Sequence, residues 1–243
     1  ISYTDNSYVS YVGTGNFNET NARIYTDFTL LTGSQAIGDD IRQVFQILQG
    51  TLIIPKHKKI RIAPFALRNF IEEAIDQEIQ EACSGQKAEI IAKLNNLEDQ
   101  GIIEKLTEAA NKGVKIKLLI RGICCMHPDT HPNIEIKRLV DRFLEHARFY
   151  YFHAADKRAM YISSADWMTR NLDRRIEVAC PIENETYKDQ LLHIFNTQWN
   201  DHIKAGPHFE DFKDAQYNTG DTAQEIIYKE IKEQYTKKRL PLN

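Results

Sequence analysis

Cysteine is scarce and scattered in this 243-residue sequence. Cys83, Cys124, Cys125 and Cys180 form no C-x-x-C pair and no His/Cys cluster with zinc spacing, and an adjacent pair is a poor start for a disulfide framework. They read as reduced thiols of a cytosolic protein. No apolar run approaches the roughly 20 residues needed to cross a bilayer. Positive charge is not in excess either: a net charge of −3 excludes the uniformly basic coat that binds nucleic acid without specificity, so any polyanion must bind a local patch. An initiator Met is also lacking. The chain opens on Ile1-Ser2-Tyr3-Thr4-Asp5, polar and strand-like, with neither a basic leader nor an apolar export stretch. That is the pattern expected of a segment cut from a longer protein, and it leaves the parent's targeting and membrane association open.

What is present is an ordinary core-forming composition, 42% hydrophobic with 10% aromatics, enough for one large domain or two unequal ones. Ser7 to Val12 alternates as a strand into the glycine turn Gly13-Thr14-Gly15-Asn16, and Ala22 to Asp27 follows as a short ordered segment. Asp39 to Leu48 has helical spacing with acids in its first turn, closed by Gly50. The loop Pro55-Lys56-His57-Lys58-Lys59 marks a domain boundary near residue 57. Beyond it strands and helices alternate, which predicts an α/β fold, a mixed sheet with helices on its faces. Strands are expected at 59–63, 88–94, 114–120, 134–140 and 174–180, with 148–152 and 160–164 as hairpin arms. Helices are expected at 64–82, 98–111, 186–203 and 222–237, and Lys237, Lys238 and Arg239 read as a frayed, solvated helix end.

The chemistry gathers between residues 143 and 166. His146 and Arg148 lie two apart, so in an extended run both side chains leave one face. Imidazole can accept a phosphoryl group or a proton near neutral pH, while guanidinium grips phosphate oxygens in a planar fork that stays charged. The pair points to a phosphate-handling site. Gly13-Thr14-Gly15-Asn16 permits close backbone approach to an anion, although a plain hairpin turn gives the same letters. Ser163-Ser164-Ala165-Asp166 repeats the arrangement, small and hydroxyl-bearing residues followed by a polar side chain, and two such half-sites imply a pseudo-symmetric active site. Arg121, before Gly122 at the end of an apolar strand, is placed to reach a pocket. Lys93, Asn95 and Asn96 form an unusually polar strand end, which structure or function explains equally well. Tyr25 fits either a core or a site. Arg170, Arg174 and Arg175, a solvated charge run on the bland view, would bring positive charge to the Ser163 turn.

Taken together, these segments resemble the C-terminal half of bacterial polyphosphate kinase, a relative by fold of the phospholipase D superfamily. The resemblance runs through Gly13-Thr14-Gly15-Asn16-Phe17-Asn18-Glu19, Ala22-Arg23-Ile24-Tyr25-Thr26-Asp27, Lys93-Leu94-Asn95-Asn96-Leu97, Ile120-Arg121-Gly122, Arg142-Phe143-Leu144-Glu145-His146 and Tyr161 to Asn171, in the family's order. It implies a phospholipase D-like mixed β-sheet flanked by helices, with 1–57 the C-terminal portion of a first catalytic domain and 58–243 the second. It further implies reversible transfer of the ATP γ-phosphate to inorganic polyphosphate through a phosphohistidine.

Carried over residue by residue, the resemblance puts Tyr25, Arg121 and His146 on the nucleotide, with His146 beside the transferred phosphoryl group. Asn16, Lys93, Arg148 and Ser164 are expected on phosphate or polyphosphate. The family's phosphorylated histidine belongs to a His-x-Lys strand upstream of the glycine turn, and its Mg²⁺ ligands also fall upstream, so no metal ligand is assigned here and the isolated chain is expected to be inactive. Tyr11 stands where the family commonly has a second histidine. The expected partners are ATP, ADP and polyphosphate, not nucleic acid, in a cytoplasmic homo-oligomer. Two other readings stay open: a phospholipase D-type phosphodiesterase, from which Arg148 and Asp166 depart where lysine and asparagine are usual, and a non-catalytic polyphosphate-binding module.

Overall fold

The computed structural model of the chain describes residues 2–4, 7–207 and 220–238. Its first stretch comprises β1 (Ser2–Thr4), β2 (Ser7–Gly13), α1 (Glu19–Ala22), β3 (Tyr25–Thr26), β4 (Thr29–Thr32) and α2 (Gln35–Leu48). The remainder runs β5 (Arg61–Ala63), α3 (Leu67–Cys83), β6 (Glu89–Leu94), α4 (Gln100–Asn111), β7 (Lys115–Ile120), β8 (Ile134–Leu139), β9 (Leu144–Glu145), β10 (Phe149–Phe152), β11 (Ala159–Ser163), α5 (Thr169–Asp173), β12 (Glu177–Pro181), α6 (Glu185–Trp199), β13 (Ala205–Gly206) and α7 (Ala223–Lys238). Arg239, the last residue of the expected basic end, lies outside the described residues.

Eight strands form the main sheet in the order β13-β8-β7-β6-β10-β11-β12-β5. The β6–β7 and β7–β8 pairs are parallel and the others antiparallel, so the sheet is mixed, as the alternation of elements implies. Side chains alternate across it. Ile90, Ala92 and Leu94 of β6, with Tyr150 and Phe152 of β10, pack under Leu67, Ile71 and Ile75 of α3 and Ile102 and Leu106 of α4. On the other face, Ile91, Phe149, Tyr151 and Ile162 pack with Ile37 of α2 and Leu191, Phe195 and Trp199 of α6. That second core also takes in Val12, Phe28 and Leu30, so the small β1-β2-β4 sheet is seated on the main one. Among the described residues no helix is long and apolar enough to cross a membrane. The four cysteines are free thiols.

Three element boundaries differ from the sequence expectation for identifiable reasons. Helix α2 begins at Gln35, not Asp39, because Ser34 is its N-cap and accepts the Ile37 amide. The acids expected to complement its first turn therefore lie further in, and Asp40 is fully buried. Its carboxylate accepts the amides of Lys58, Lys59 and Ile60 at 2.6–3.1 Å. Those donors are thereby withheld from a strand ladder, which is why β5 starts at Arg61 and not at Lys59. Helix α6 stops at Trp199, four residues early, because the Asp201 side chain accepts the amides of Ile203 and Lys204 and folds the chain into a local turn.

Candidate active site

The carboxyl ends of β6, β7 and β11 and the start of β10 share one edge of the sheet, since Leu94 pairs with Ile120 and Phe149 with both Lys93 and Ile162. Strand β3 reaches that edge from the first stretch by pairing parallel to β9, Tyr25 opposite Leu144 and Thr26 opposite Glu145. The pairing continues through the amides of His146 and Ala147, which both donate to the Thr26 carbonyl at 3.2 and 3.0 Å. A site thus forms between segments more than 100 positions apart.

His146 sits at its centre. Nδ1 lies 3.0 Å from Oδ1 of Asp27, and Nη1 of Arg148 lies 3.2 Å from Nε2. The Asp27 carboxylate can only accept, so in the neutral ring it places the proton on Nδ1 and leaves the Nε2 lone pair open; Nη1 of Arg148, also 3.5 Å from Nδ1, instead donates to the His146 carbonyl at 3.0 Å. The Tyr25 ring lies against the imidazole, centroids 4.9 Å apart. Asp27 is itself held by Thr14, whose hydroxyl donates to Oδ1 at 2.6 Å. Gly15 makes that approach possible: a Cβ there would overlap the Asp27 carboxylate.

Arg148 joins the two turns that the sequence pairs as half-sites. Its Nη1 donates to the Thr14 carbonyl of the glycine turn at 3.3 Å, and Nε and Nη2 donate to the Asp166 carboxylate of the serine turn at 3.1 and 3.3 Å. Asp166 also accepts the Asn95 amide at 2.7 Å and Nδ2 of Asn96 at 3.1 Å. Asn95 in turn links Arg121 to His146, accepting Nε of Arg121 at 2.9 Å and donating to the His146 carbonyl at 3.4 Å. Burial lowers the pKa of Arg121, the nearby Arg148 charge acts in the same direction, and Asp166, Tyr25 and Glu145 oppose them. No hydrogen bond engages its terminal nitrogens among the described residues.

The remaining sequence candidates sit differently. Asn16 is exposed at the tip of the glycine turn. Ser164 is half-buried, its hydroxyl donating to the Glu177 carboxylate and accepting the Val178 amide. Lys93 is buried beneath the site, not at its mouth, with Nζ 2.7 Å from Glu145. Burial raises the Glu145 carboxyl, but the Lys93 charge and hydrogen bonds from Lys93, Gln224 and Thr26 outweigh it and hold the group below the usual carboxylate range. Asp27 and Glu145 carry no distinctive local signal in the sequence beyond lying within two of the segments that carry the family likeness. Among the described residues no group of three or more His, Cys, Asp or Glu could hold a metal ion. Two clefts elsewhere, of about 530 and 440 Å³, contain none of these residues.

Comparison with known proteins matches this arrangement to one family. Residues 60–226 fit the model described as polyphosphate kinase C-terminal domain 2, and residues 3–53 fit polyphosphate kinase C-terminal domain 1. The polyphosphate kinases of Vibrio parahaemolyticus and Vibrio cholerae are each 44% identical over 199 residues, 81% of this chain and 29% and 28% of those proteins. The crystal structure of polyphosphate kinase from Porphyromonas gingivalis superimposes with a TM-score of 0.86 at 36% identity, over 95% of this chain and 37% of that one. The chain therefore spans less than a third of the length of those curated relatives. With a family model matching well over half of its residues, it belongs to the polyphosphate kinase family.

Proposed function

We propose that this chain forms the nucleotide-phosphate side of a polyphosphate kinase, which reversibly transfers the γ-phosphate of ATP to inorganic polyphosphate. The observation that carries the reading is the convergence of His146, Arg148 and Arg121 on one sheet edge in a member of this family. In the whole protein, a histidine upstream of Ile1 attacks the γ-phosphorus. Its N–P bond forms as the bond to the β,γ-bridging oxygen breaks, and ADP leaves. A terminal oxygen of polyphosphate then takes the phosphoryl group and frees the histidine.

Such transfers need positioning and positive charge more than covalent invention. Arg121, with its terminal nitrogens uncommitted, supplies the fork for phosphate oxygens. Arg148, engaged by Asp166, contributes charge at short range and holds the two turns in register. Asp27 fixes the His146 ring so that Nε2 presents a lone pair beside the transferred group, and Tyr25 packs against that ring where the nucleotide enters. Asn16 and Ser164 contact phosphate from the two turns, while Lys93 acts from beneath through Glu145. Mg²⁺ bound with ATP would neutralise charge on the phosphate oxygens, its protein ligands expected outside this chain. On the same reading the parent is a cytoplasmic homo-oligomer that takes ATP, ADP and polyphosphate and not nucleic acid, and this chain alone is inactive for want of the nucleophile.

The test is incubation of the full-length parent with polyphosphate and ADP. ATP formation is expected. Cleavage of a phosphodiester without ATP formation would assign the site to a phosphodiesterase, and polyphosphate binding without turnover to a binding module.

A further inference from the structure

Strand β9 is only two residues long, and its second residue directly precedes His146. Two residues of parallel pairing to β3 are a weak mount for a catalytic imidazole. What holds the strand is the Glu145 side chain, which alternation sends away from the site and into the protein, where the residue is 3% exposed. Its carboxylate meets four elements: Nζ of Lys93 on β6 at 2.7 Å, Oγ1 of Thr26 on β3 at 3.1 Å, Nε2 of Gln198 on α6 at 2.9 Å and Nε2 of Gln224 on α7 at 2.6 Å. Oε1 of Gln198 finds no partner among the described residues, so that amide accepts a desolvation cost to serve Glu145.

Gln224 also pairs with the backbone of Phe143 as a neighbouring strand would. Its Oε1 accepts the Phe143 amide at 2.9 Å and its Nε2 donates to the Phe143 carbonyl at 2.8 Å. The helix presenting it is itself pinned. Thr222 and Glu225 form a reciprocal capping box, and the Asp201 carboxylate accepts the Ala223 amide at 2.6 Å.

We infer that Glu145 and Gln224 are positioning residues for His146, and that α7, almost 80 residues further along the chain, is through them part of the mount of the site. Without Gln224 the Phe143–Glu145 segment loses its outer partner, the imidazole drifts from Asp27, and the Nδ1–H tautomer is no longer enforced. Glu145→Gln is a poor first variant, because it strands a buried ammonium and threatens folding. Gln224→Met keeps the bulk of a half-buried side chain and removes only its hydrogen bonds.

The test has two arms. In the 243-residue chain, ¹⁵N NMR of the His146 ring in Gln224→Met is expected to show the Nδ1–H pattern replaced by a tautomer mixture, with the melting temperature within about 3 °C of the unaltered chain. In the full-length enzyme, kcat for polyphosphate synthesis is expected to fall at least about tenfold while KM for ATP stays within about twofold. Lys229→Ala, which removes from the same helix an ion pair to Asp221 just ahead of it without touching β9, should leave both readouts unchanged. An unaltered His146 pattern in Gln224→Met, or the same change in Lys229→Ala, overturns the inference. The kinetic arm rests on the phosphoryl-transfer reading of this site and the spectroscopic arm does not, so an inactive unaltered parent would sink that reading while leaving the positioning role to the spectra.

Discussion

The Asp27 carboxylate lies 3.0 Å from Nδ1 of His146 although 119 positions separate the two residues. The contact does more than fill space: it chooses which ring nitrogen carries the proton. Asn at position 27 would still accept the Thr14 hydroxyl through Oδ1 but would carry no charge and would set an NH₂ beside Nδ1 where the second carboxylate oxygen now lies, 3.2 Å away. The ring then loses the charged, acceptor-only partner that holds its proton on Nδ1. Asp27→Asn in the full-length enzyme is therefore expected to lower kcat by about 10²-fold or more with little change in melting temperature. Steady-state kinetics beside a thermal melt checks this, and an unimpaired kcat would remove Asp27 from the mechanism.

Gly15 is expected to act through the same carboxylate. A methyl group there overlaps Asp27, so Gly15→Ala should displace the carboxylate and cut activity in the direction of Asp27→Asn, with a stability loss of about 1–3 kcal/mol from overpacking. Because the two residues share one contact, the double change Gly15→Ala with Asp27→Ala should cost less activity than the two single losses combined. Full additivity in the measured kcat values would mean that Gly15 acts elsewhere.

Lys93 offers a choice between stability and binding. Its ammonium and the Glu145 carboxylate are 3% and 2% exposed, so Lys93→Met leaves an uncompensated buried charge. Urea denaturation should register a loss of about 3–5 kcal/mol, much of it recovered when Glu145→Leu is added. If Lys93 instead reached polyphosphate directly, the single change would raise KM for the polymer and leave the denaturation midpoint in place.

Glu78 should impose a pH dependence of the opposite sign to that of an ordinary salt-bridged acid. Burial pushes its carboxyl up to about 7, the charges of Glu81 and Glu89 add to the effect, and the amides of Ala154 and Glu89 oppose it. The folded chain then holds a proton that the unfolded chain releases near its ordinary value of 4.5. Stability from this group is complete below that value and is lost as pH rises through 7, by up to about 3 kcal/mol. Denaturation curves between pH 4.5 and 8 should show this decline, and Glu78→Gln should flatten it. Equal slopes in the two proteins would contradict the assignment.

The sheet and its flanking helices were legible because their residues repeat with the period of the element they form. Ile90, Ala92 and Leu94 alternate with Ile91 and Lys93, and α3 places Leu67, Ile71 and Ile75 on one stripe. His146, Arg148 and Arg121 could be picked out because their chemistry is unusual beside strand ends. What could not be read locally were the relationships between distant segments. The β3–β9 pair is two residues long on each side and carries no periodic signal. The capture of three amides by Asp40 and the turn made by Asp201 are side-chain events that override propensity at particular residues. Nor could the sequence show that Lys93 and Ser164 are engaged by the carboxylates of Glu145 and Glu177, which stand 52 and 13 positions away.

The most direct test falls on His146. ATP-dependent polyphosphate synthesis should be measured in the full-length protein carrying His146→Ala, with circular dichroism and a thermal melt to establish that the fold is intact. The expected result is a loss of at least about 10²-fold in rate with an unchanged melt. A correctly folded variant that makes polyphosphate at the rate of the unaltered enzyme would contradict it.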